Sequence, residues 1–231
     1  MFINQRNRIR KNIWAGNIMI KLKKILESEN LLEWSKNDPI PEINRIHKKL
    51  ALFIFGPPGI GKSTFVRDYI LTKNPNFKVV NPDDINKTLT GDPIQKQWNP
   101  DSSNLAVTLI KNLTKSGSNF IYDVTGNSFE RVKIATMASK ENDYTVIYIH
   151  MIGELNKSIS QNKKRERQVS IDFLTSSYNK SQQLMVRYSN ELKPDSYYIV
   201  LHLATGYKFF KYENNILLKR KVDKYIPVTN K

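Results

Sequence analysis

Nine consecutive residues in the first third of the chain have the types and spacing of a loop that wraps a phosphate chain. Glycines recur where backbone N–H groups must approach an anion closely, and a lysine and two hydroxyl residues close the segment. In this pattern Lys62 reaches the outer phosphates and the Ser63 hydroxyl binds Mg²⁺. The pattern therefore predicts a nucleoside triphosphate site, here called the phosphate loop, formed by Gly56, Pro57, Pro58, Gly59, Ile60, Gly61, Lys62, Ser63 and Thr64.

The alternative is a glycine-proline turn that matches the loop pattern by chance. Against it, the apolar run Leu50 to Phe55 directly precedes the loop, and Phe65 and Val66 continue into a predicted helix. A strand, a loop and a helix in this order place the N–H groups of the helix N-terminus against a bound phosphate. The context favours the nucleotide site.

Two neighbouring aspartates, Asp83 and Asp84, follow the next short apolar segment of the chain. Transfer of a phosphoryl group to a hydroxyl needs a carboxylate that orients the hydroxyl and takes its proton. Alternatively, one aspartate caps a helix that begins near Ile85. We predict that at least one of the two is catalytic and that both contact the acceptor.

Asp123 and Thr125 follow the third predicted strand. An aspartate at a strand end beside a phosphate loop is suitably placed to hold Mg²⁺, directly or through water. It is equally suited to bind the acceptor or the loop hydroxyl, and in the simplest alternative it only starts the turn before a helix capped by Ser128. We predict Ser63 and Asp123 as metal ligands, and Asp123 and Thr125 as acceptor-binding residues.

A basic run at residues 162–167, NKKRER, lies beyond the fourth predicted strand. Such a run is usually a solvated helix face. The phosphate loop, however, contains no arginine to neutralise the charge that develops during phosphoryl transfer, and a mobile lid with guanidinium groups would supply it. We predict a lid over about residues 155–170, in which Arg165 is the main phosphate-binding residue and Arg167 the second.

An alternation of strands and helices positions these residues and predicts a doubly wound α/β domain, with a parallel sheet and helices on both faces. Ligands of such a sheet collect at the carboxyl ends of its strands. The five predicted strands are residues 50–55, 77–80, 120–122, 145–151 and 197–203. The predicted helices run from the loop to about Leu71, from Asp101 or Ser102 to Gly117 with Leu105, Leu109, Ile110 and Leu113 as apolar residues, from Ser128 to about Ser139, and through a long basic region at 155–192.

The chain divides into three predicted segments: a basic helical extension at 1–48, the nucleotide-binding domain at 49–205, and a C-terminal segment at 206–231 with a β-hairpin at 207–222. In the extension, apolar residues at helical spacing predict a helix at about 13–29, and two prolines predict a linker at 38–41. The absence of acidic residues before position 27 would also suit a mitochondrial presequence, but the stretch is rich in Asn rather than Ser. We favour a basic arm or a packed helix.

The formal net charge of the 231-residue chain is +16, from 37 Lys and Arg against 21 Asp and Glu. This excess favours a nucleic-acid partner, although a codon bias that places lysine on the surface would give the same number. The lack of cysteine excludes disulfides and thiolate metal sites, and fits the cytoplasm or another reducing intracellular compartment. No segment approaches the roughly 18 apolar residues that cross a membrane. Three histidines (His47, His150 and His202) have no metal-ligand spacing, and we assign them no role.

Four segments between about Leu50 and Tyr188 carry a resemblance to a known family: GPPGIGKSTFVRDYI, KNPNFKVVNPDD, FIYDVTGNSFER and NKKRERQVSIDFLTSSYNKS. In them the chain resembles the polynucleotide 5′-hydroxyl kinases of the phage type, whose kinase domain belongs to the wider zeta-toxin-like P-loop kinases. The resemblance implies a P-loop kinase fold, with Asp83 as general base towards the 5′-hydroxyl. It also implies that Arg165 contacts the phosphates of the donor and that Asp123 belongs to the same site.

Two positions depart from this family. Its usual arginine three residues after the base is replaced by Asn86, with Lys87 beside it, and a further lid arginine is replaced by Gln161. Both changes weaken the binding of anions, so we expect an activity that is reduced or directed to another acceptor, with Lys87 as a candidate acceptor-binding residue. No segment after Tyr197 has the aspartate-rich signature of the phosphatase domain that accompanies some members.

The leading prediction is an ATP- and Mg²⁺-dependent kinase that phosphorylates the 5′-hydroxyl end of DNA or RNA. Its predicted catalytic residues are Asp83, Lys62 and Arg165. Two alternatives stay open. One is a zeta-toxin-like kinase of a small molecule such as a nucleotide sugar, and the other is a nucleic-acid-binding or virion-associated protein with a degenerate kinase core.

Overall fold

The computed structural model describes residues 40–44, 48–92, 98–165, 168–203, 206–213 and 216–220, and is built around a seven-stranded sheet. The strands are β1 (Leu50–Phe55), β2 (Lys78–Val80), β3 (Phe120–Asp123), β4 (Thr145–Ile152), β5 (Ser196–Leu203), β6 (Gly206–Glu213) and β7 (Ile216–Arg220). Their order in the sheet is β2-β3-β1-β4-β5-β6-β7. The first five of these are parallel, and β6 and β7 add an antiparallel edge.

Strand β1 lies between β3 and β4, and all six of its residues are buried. Phe53 and Phe55 pack into the core on one face of the sheet, and Leu52 and Ile54 pack into the core on the other. A strand covered on both faces needs an unbroken apolar run, which explains why the sequence LALFIF forms a central parallel strand. The predicted doubly wound α/β fold is confirmed.

Six helices connect and flank the strands in the described part of the chain. They are α1 (Lys62–Phe65, continued by a π-helix at Val66–Leu71), α2 (Pro82–Thr90), α3 (Asp101–Lys115), α4 (Phe129–Lys140), α5 (Leu155–Lys163) and α6 (Ile171–Arg187, continued by a π-helix at Tyr188–Leu192). The single helical region predicted at 155–192 is therefore divided. The division has a local cause, since the Ser170 side chain accepts the N–H of Phe173 and starts a new helix.

The predicted start of helix α2 was wrong by three residues. The helix begins at Pro82 and not near Ile85, and neither aspartate caps it. The cap is Asn81, whose side-chain oxygen accepts the N–H of Asp83 at 2.8 Å. Both aspartates lie instead in the first turn, where negative charge is stabilised by the helix dipole.

Helix α3 buries only part of the predicted apolar face: Ile110 and Leu113 pack on the core, but Leu105 and Leu109 do not. Leu105 and Leu109 are 41% and 40% exposed, whereas Ala106 and Ile110 are fully buried. Two overlapping apolar stripes run along this helix one residue apart, and helical spacing alone does not choose between them. Capping was also predicted imperfectly: Pro100 holds the cap position of α3, and Ser128 holds that of α4 without a side-chain bond.

The chain enters the sheet through a short 3₁₀ turn at Pro41–Asn44. Ile40 and Ile43 are fully buried, and the Glu42 carboxylate accepts hydrogen bonds from the hydroxyls of Ser196 and Tyr198 at 2.8 to 3.0 Å. These contacts anchor the entering chain on β5. The helix predicted at 13–29 lies outside the described residues, as does the first half of the predicted linker at 38–41.

The predicted C-terminal hairpin is confirmed as β6 and β7, although residues 221 and 222 lie outside the described part. Strand β6 pairs with β5, so the hairpin extends the main sheet, and Tyr207 and Phe209 are buried in its core. Among the described residues, no helix has the length and apolar character that a membrane crossing requires.

Candidate active site

A cleft of about 1450 Å³ opens at the carboxyl ends of β1, β2 and β3, as expected for a parallel sheet. The structure brings most of the predicted site residues together there. Those that line the cleft are Pro58, Gly59, Gly61, Lys62, Ser63, Thr64, Asp83, Asp84, Lys87, Asp123, Thr125 and Arg165. The other loop residues, Gly56, Pro57 and Ile60, are buried and do not line the cleft. Arg167 lies outside the described residues.

Two glycines of the phosphate loop are required by close neighbours. Gly59 has a φ of +78°, and a Cβ there would lie 2.5 Å from the carbonyl oxygen of Ser158 in α5. Gly61 has a φ of +96°, and a Cβ there would lie 2.9 Å from the ring of His202. The loop is therefore held between α5 and the end of β5, with its curvature fixed by residues that lack side chains.

The ammonium group of Lys62 lies over the loop that precedes it. Its Nζ donates to the carbonyl oxygens of Gly56 at 2.8 Å and Pro57 at 3.2 Å. Burial lowers the pKa of Lys62, and the negative charges of Asp123 and Asp83 oppose this effect. The lysine is thus positioned at the meeting point of the loop and both carboxylates.

The carboxylate of Asp123 is 3% exposed and is shared between two neighbours. Its Oδ2 accepts a hydrogen bond from Asn81 Nδ2 at 3.2 Å and lies 3.4 Å from the Ser63 hydroxyl, which donates to it. Its Oδ1 is buried without a hydrogen-bond partner among the residues that the structure describes. Burial raises the pKa of Asp123, and the charge of Lys62 opposes this.

These oxygens fit a divalent cation. A buried carboxylate oxygen without a partner, beside a serine hydroxyl, supplies the hard donors that Mg²⁺ prefers. Within the described part of the chain, no cluster of three or more His, Asp or Glu side chains forms a complete metal site. A Mg²⁺ held by Ser63 and Asp123 would therefore take its remaining ligands from phosphates and water.

Asp83 and Asp84 differ in their surroundings although they are neighbours. Asp83 is half-buried, and its charge raises the pKa of both Lys62 and Asp123. Asp84 is exposed and forms a long ion pair with Lys87 at 3.8 Å. Asp83 is therefore the aspartate with the better position to act as a base near the phosphate loop.

The predicted lid begins with α5, which packs on the loop at Gly59. Arg165 follows this helix, lines the cleft, and acts on Lys62 by lowering its pKa. The turn that carries it is fixed by Asn162, which is buried and exchanges two hydrogen bonds with the backbone of Val169, at 2.8 and 3.2 Å. Gln161 also lines the cleft, where the resembled family has an arginine.

Asn86, at the other departure from the resembled family, does not face the cleft. It is fully buried, and its Oδ1 accepts the N–H of Asn99 at 2.7 Å and the hydroxyl of Ser102 at 3.1 Å. The residue holds the start of α3 against α2. It has a structural role and is not available to bind an anion.

The unpredicted residues of the site include Asn81, Trp98, Arg131 and His202. All four line the cleft. His202 donates from Nδ1 to the carbonyl oxygen of Ile60 at 2.7 Å, and burial lowers its pKa, so that it is neutral near pH 7. Since His202 lies at the carboxyl end of β5, the rule that ligands collect there was the signal that would have found it.

The other two histidines are not part of this site. His150 is fully buried between the Tyr197 hydroxyl, at 3.2 Å, and the Ser181 hydroxyl, at 2.9 Å. Burial lowers the pKa of His150 to about 3, so it is a neutral core residue. His47 lies outside the described residues.

The phosphate loop after a central strand and the carboxylates at neighbouring strand ends define a P-loop domain of the kinase type. Residues 52–186 match the AAA domain family designated AAA_33. The match covers more than half of the chain, and the chain belongs to this family. The comparison with curated proteins found no match.

Solved structures share the fold at low sequence identity. A chain of the AvrRxo1-ORF1:-ORF2 structure with ATP matches at a TM-score of 0.60 and 16% identity, over 78% of this chain and 64% of that one. A chain of the PezAT chromosomal toxin–antitoxin system of Streptococcus pneumoniae matches at 0.50 and 16%, over 70% and 73%. A chain of the Pnkp1/Rnl/Hen1 RNA repair complex matches at 0.51 and 20%, over 62% and 48%. The chain thus spans less than two thirds of its matches in the first and third of these structures.

Proposed function

We propose that this protein is an ATP- and Mg²⁺-dependent polynucleotide kinase, which transfers the γ-phosphoryl group of ATP to the 5′-hydroxyl end of DNA or RNA. One observation carries the proposal: Asp83 and Asp123 line a single cleft with Lys62 of the phosphate loop, and the charge of each raises the pKa of Lys62. One carboxylate is thereby available to the acceptor and the other to the metal. The resemblance to polynucleotide kinases and the net charge of +16 support a polyanionic acceptor.

The donor half of the site would bind the triphosphate. Backbone N–H groups of the phosphate loop and the Lys62 ammonium contact its oxygens. Mg²⁺, when bound, supplies neutralisation of charge on the β- and γ-phosphates, and the residues that would hold it are Ser63 and Asp123. The similarity to a structure determined with ATP supports this choice of donor.

The acceptor half would perform the proton transfer. Asp83 accepts the proton of the 5′-hydroxyl while the hydroxyl oxygen forms a bond to the γ-phosphorus. The bond between that phosphorus and the bridging oxygen breaks, and ADP leaves with the electron pair. Lys62 and Arg165 stabilise the charge on the transferred group and the leaving oxygen. The similarity to a chain of an RNA repair complex supports a polynucleotide as the acceptor.

The test is an end-labelling assay with radiolabelled ATP on single-stranded DNA and RNA that carry a 5′-hydroxyl. Asp83→Asn should lower kcat about 10²- to 10⁴-fold, because it removes the base. The affinity for ATP should stay unchanged. The matched control is Asp101→Asn, which neutralises an exposed carboxylate in the first turn of α3, away from the cleft, and should label as the wild type does.

A second candidate is a kinase of a small molecule such as a nucleotide sugar. It is favoured by the burial of Asn86, which leaves no anion-binding group at a position where polynucleotide kinases usually have an arginine. Label on the nucleotide sugar and on neither strand would replace the proposal with this candidate. ATP binding without label on any acceptor would contradict both and indicate a binding protein with a degenerate kinase core.

A further inference from the structure

The cleft contains a large aromatic side chain. Trp98 lines the cleft together with Asp83 and is 41% exposed. An indole ring presents a flat apolar face that stacks well on a nucleobase, and such stacking does not depend on which base is present. An exposed tryptophan inside a catalytic cleft is therefore a candidate contact for a substrate that carries a ring.

The backbone around Trp98 is tied to the helix that carries Asp83. The N–H of Asn99, the next residue, donates to Asn86 Oδ1 at 2.7 Å, and Asn86 follows Asp83 on α2 by three residues. The Ser102 hydroxyl adds bonds to Asn99 O at 2.7 Å and Asn86 Oδ1 at 3.1 Å. The asparagine that replaces an arginine of the resembled family thus fixes Trp98 relative to the proposed base.

The same cleft also contains a cation that the proposed catalytic residues do not include. Arg131 on α4 lines the cleft and is half-buried. Tyr122, which directly precedes Asp123 in β3, also lines the cleft, and the charge of Arg131 opposes the rise that burial causes in the pKa of Tyr122. A guanidinium group binds phosphate with two parallel hydrogen bonds.

We propose that Trp98 and Arg131 form an acceptor subsite, in which the indole stacks on the base of the 5′-terminal nucleotide and the guanidinium binds the phosphate that follows it. The inference rests on the proposed function and makes it more specific. The acceptor is then a nucleotide unit with a base and a 3′-phosphate, and not a sugar alone. Asn86 contributes by positioning Trp98 and does not touch the acceptor.

The first test measures the acceptor KM of the wild type and of variants on two strands. One is a 5′-hydroxyl DNA strand, and the other is the same strand with an abasic 5′-terminal residue. On the normal strand, Trp98→Ala should raise the acceptor KM about tenfold, and Trp98→Phe about twofold, because a smaller ring stacks less. On the abasic strand Trp98→Ala should change KM less than twofold, since that strand has no 5′-terminal base on which the indole could stack. The KM for ATP and kcat should stay unchanged throughout.

The controls separate stacking from a loss of folding. Met137→Ala truncates a side chain that is 49% exposed on α4 and does not line the cleft, and it should change neither KM. If Trp98→Ala behaves like Met137→Ala, or raises KM equally on both strands, the stacking contact is contradicted. Circular dichroism and the unchanged KM for ATP verify that the variants are folded.

The second test concerns the phosphate. Arg131→Gln should raise KM for a nucleoside 3′-monophosphate acceptor about tenfold and leave KM for the free nucleoside unchanged. Lys133→Gln, on the same helix but outside the cleft, is the matched control and should change neither value. Equal effects of Arg131→Gln on both acceptors would overturn the assignment of the guanidinium.

Tryptophan fluorescence distinguishes a failure of the subsite from a failure of the proposed function. Should the wild type label no acceptor, the proposed function fails and the subsite is decided by binding alone. A nucleoside 3′-monophosphate should then quench the emission of the wild type, and the quenching should be lost in Trp98→Phe. Equal quenching in the two proteins, or none in the wild type at millimolar probe, would contradict the subsite.

Discussion

At the scale of single residues, Asp123 joins the two halves of the site. Its Oδ2 is shared by Asn81 at the end of β2 and Ser63 in the phosphate loop, and its Oδ1 is left without a partner among the described residues. A buried carboxylate with an unpaired oxygen destabilises the folded state. Such a cost is typical of residues that are retained for binding or catalysis.

Asp123→Asn should therefore stabilise the protein while it abolishes activity. Burial raises the folded-state pKa of Asp123 above its unfolded value, so its contribution to stability is present at low pH and is lost as pH rises through the folded-state pKa. The difference in Tm between Asp123→Asn and the wild type should be small near pH 3.5 and shift in favour of the variant by pH 7. Thermal unfolding at several pH values measures it. A constant difference, or one that favours the wild type at pH 7, would contradict the prediction.

The sequence predicts those residues that belong to a recognisable local pattern. Lys62 and Ser63 belong to a contiguous loop, and Asp83 and Asp123 follow apolar runs directly. Asn81 and His202 could not be assigned in this way, since their partners lie 42 and 142 residues away along the chain. Nothing in their residue types marks them as site residues. They reach the site only because strands that are distant in the sequence end side by side in the sheet.

At the scale of elements, the C-terminal hairpin reaches the phosphate loop through one histidine. The His202 ring stacks on Tyr207 of β6, with ring centroids 4.8 Å apart. The same ring lies so close to Gly61 that a side chain there would not fit. Its Nδ1 donates to Ile60 O. Strand β6 thereby supports the curvature of the loop, although β4 and β5 separate it from β1 in the sheet.

His202→Phe should raise the KM for ATP about two- to tenfold, because it keeps an aromatic ring but removes one hydrogen bond to the loop. The KM for the acceptor should not change, and His202→Asn, whose amide can donate from a similar position, should recover part of the loss. The control is Tyr207→Phe, which deletes a buried hydroxyl that has no partner among the described residues and should be neutral or stabilising. A rise in both KM values would contradict a role specific to the loop.

The elements themselves show where sequence reasoning succeeds. The strands were predicted within a few residues, because an unbroken apolar run is covered on both faces of a parallel sheet. The buried face of α3 was predicted only in part, because the neighbouring helices and sheet decide which of the apolar residues face inward. The division of the helical region at 155–192 follows from a cap at Ser170 that was overlooked.

At the scale of the whole molecule, the net charge of +16 sets the long-range behaviour. A positive field attracts any polyanion, so charge by itself does not separate a substrate strand from non-specific binding. The cleft adds positive charge at a defined place, since Lys62, Lys87, Arg131 and Arg165 all line it. A nucleic-acid partner remains a proposal that depends on both.

Binding of a single-stranded DNA 20-mer should weaken about 20- to 50-fold between 50 and 200 mM salt, as expected for three to four phosphate contacts. The slope of log affinity against log salt should be about −2 to −3. Fluorescence anisotropy with a labelled strand measures it, and a charge-neutral peptide nucleic acid of the same sequence is the control ligand. A slope near zero for DNA would contradict a polyanionic partner.

The contact between Gly59 and Ser158 has a consequence for turnover. With no side chain at Gly59, the phosphate loop packs directly on α5. The hydrogen bonds of Asn162 connect α5 in turn to Val169. In the proposed kinase, the loop and this helix would then stay together as one unit while the nucleotide enters and leaves.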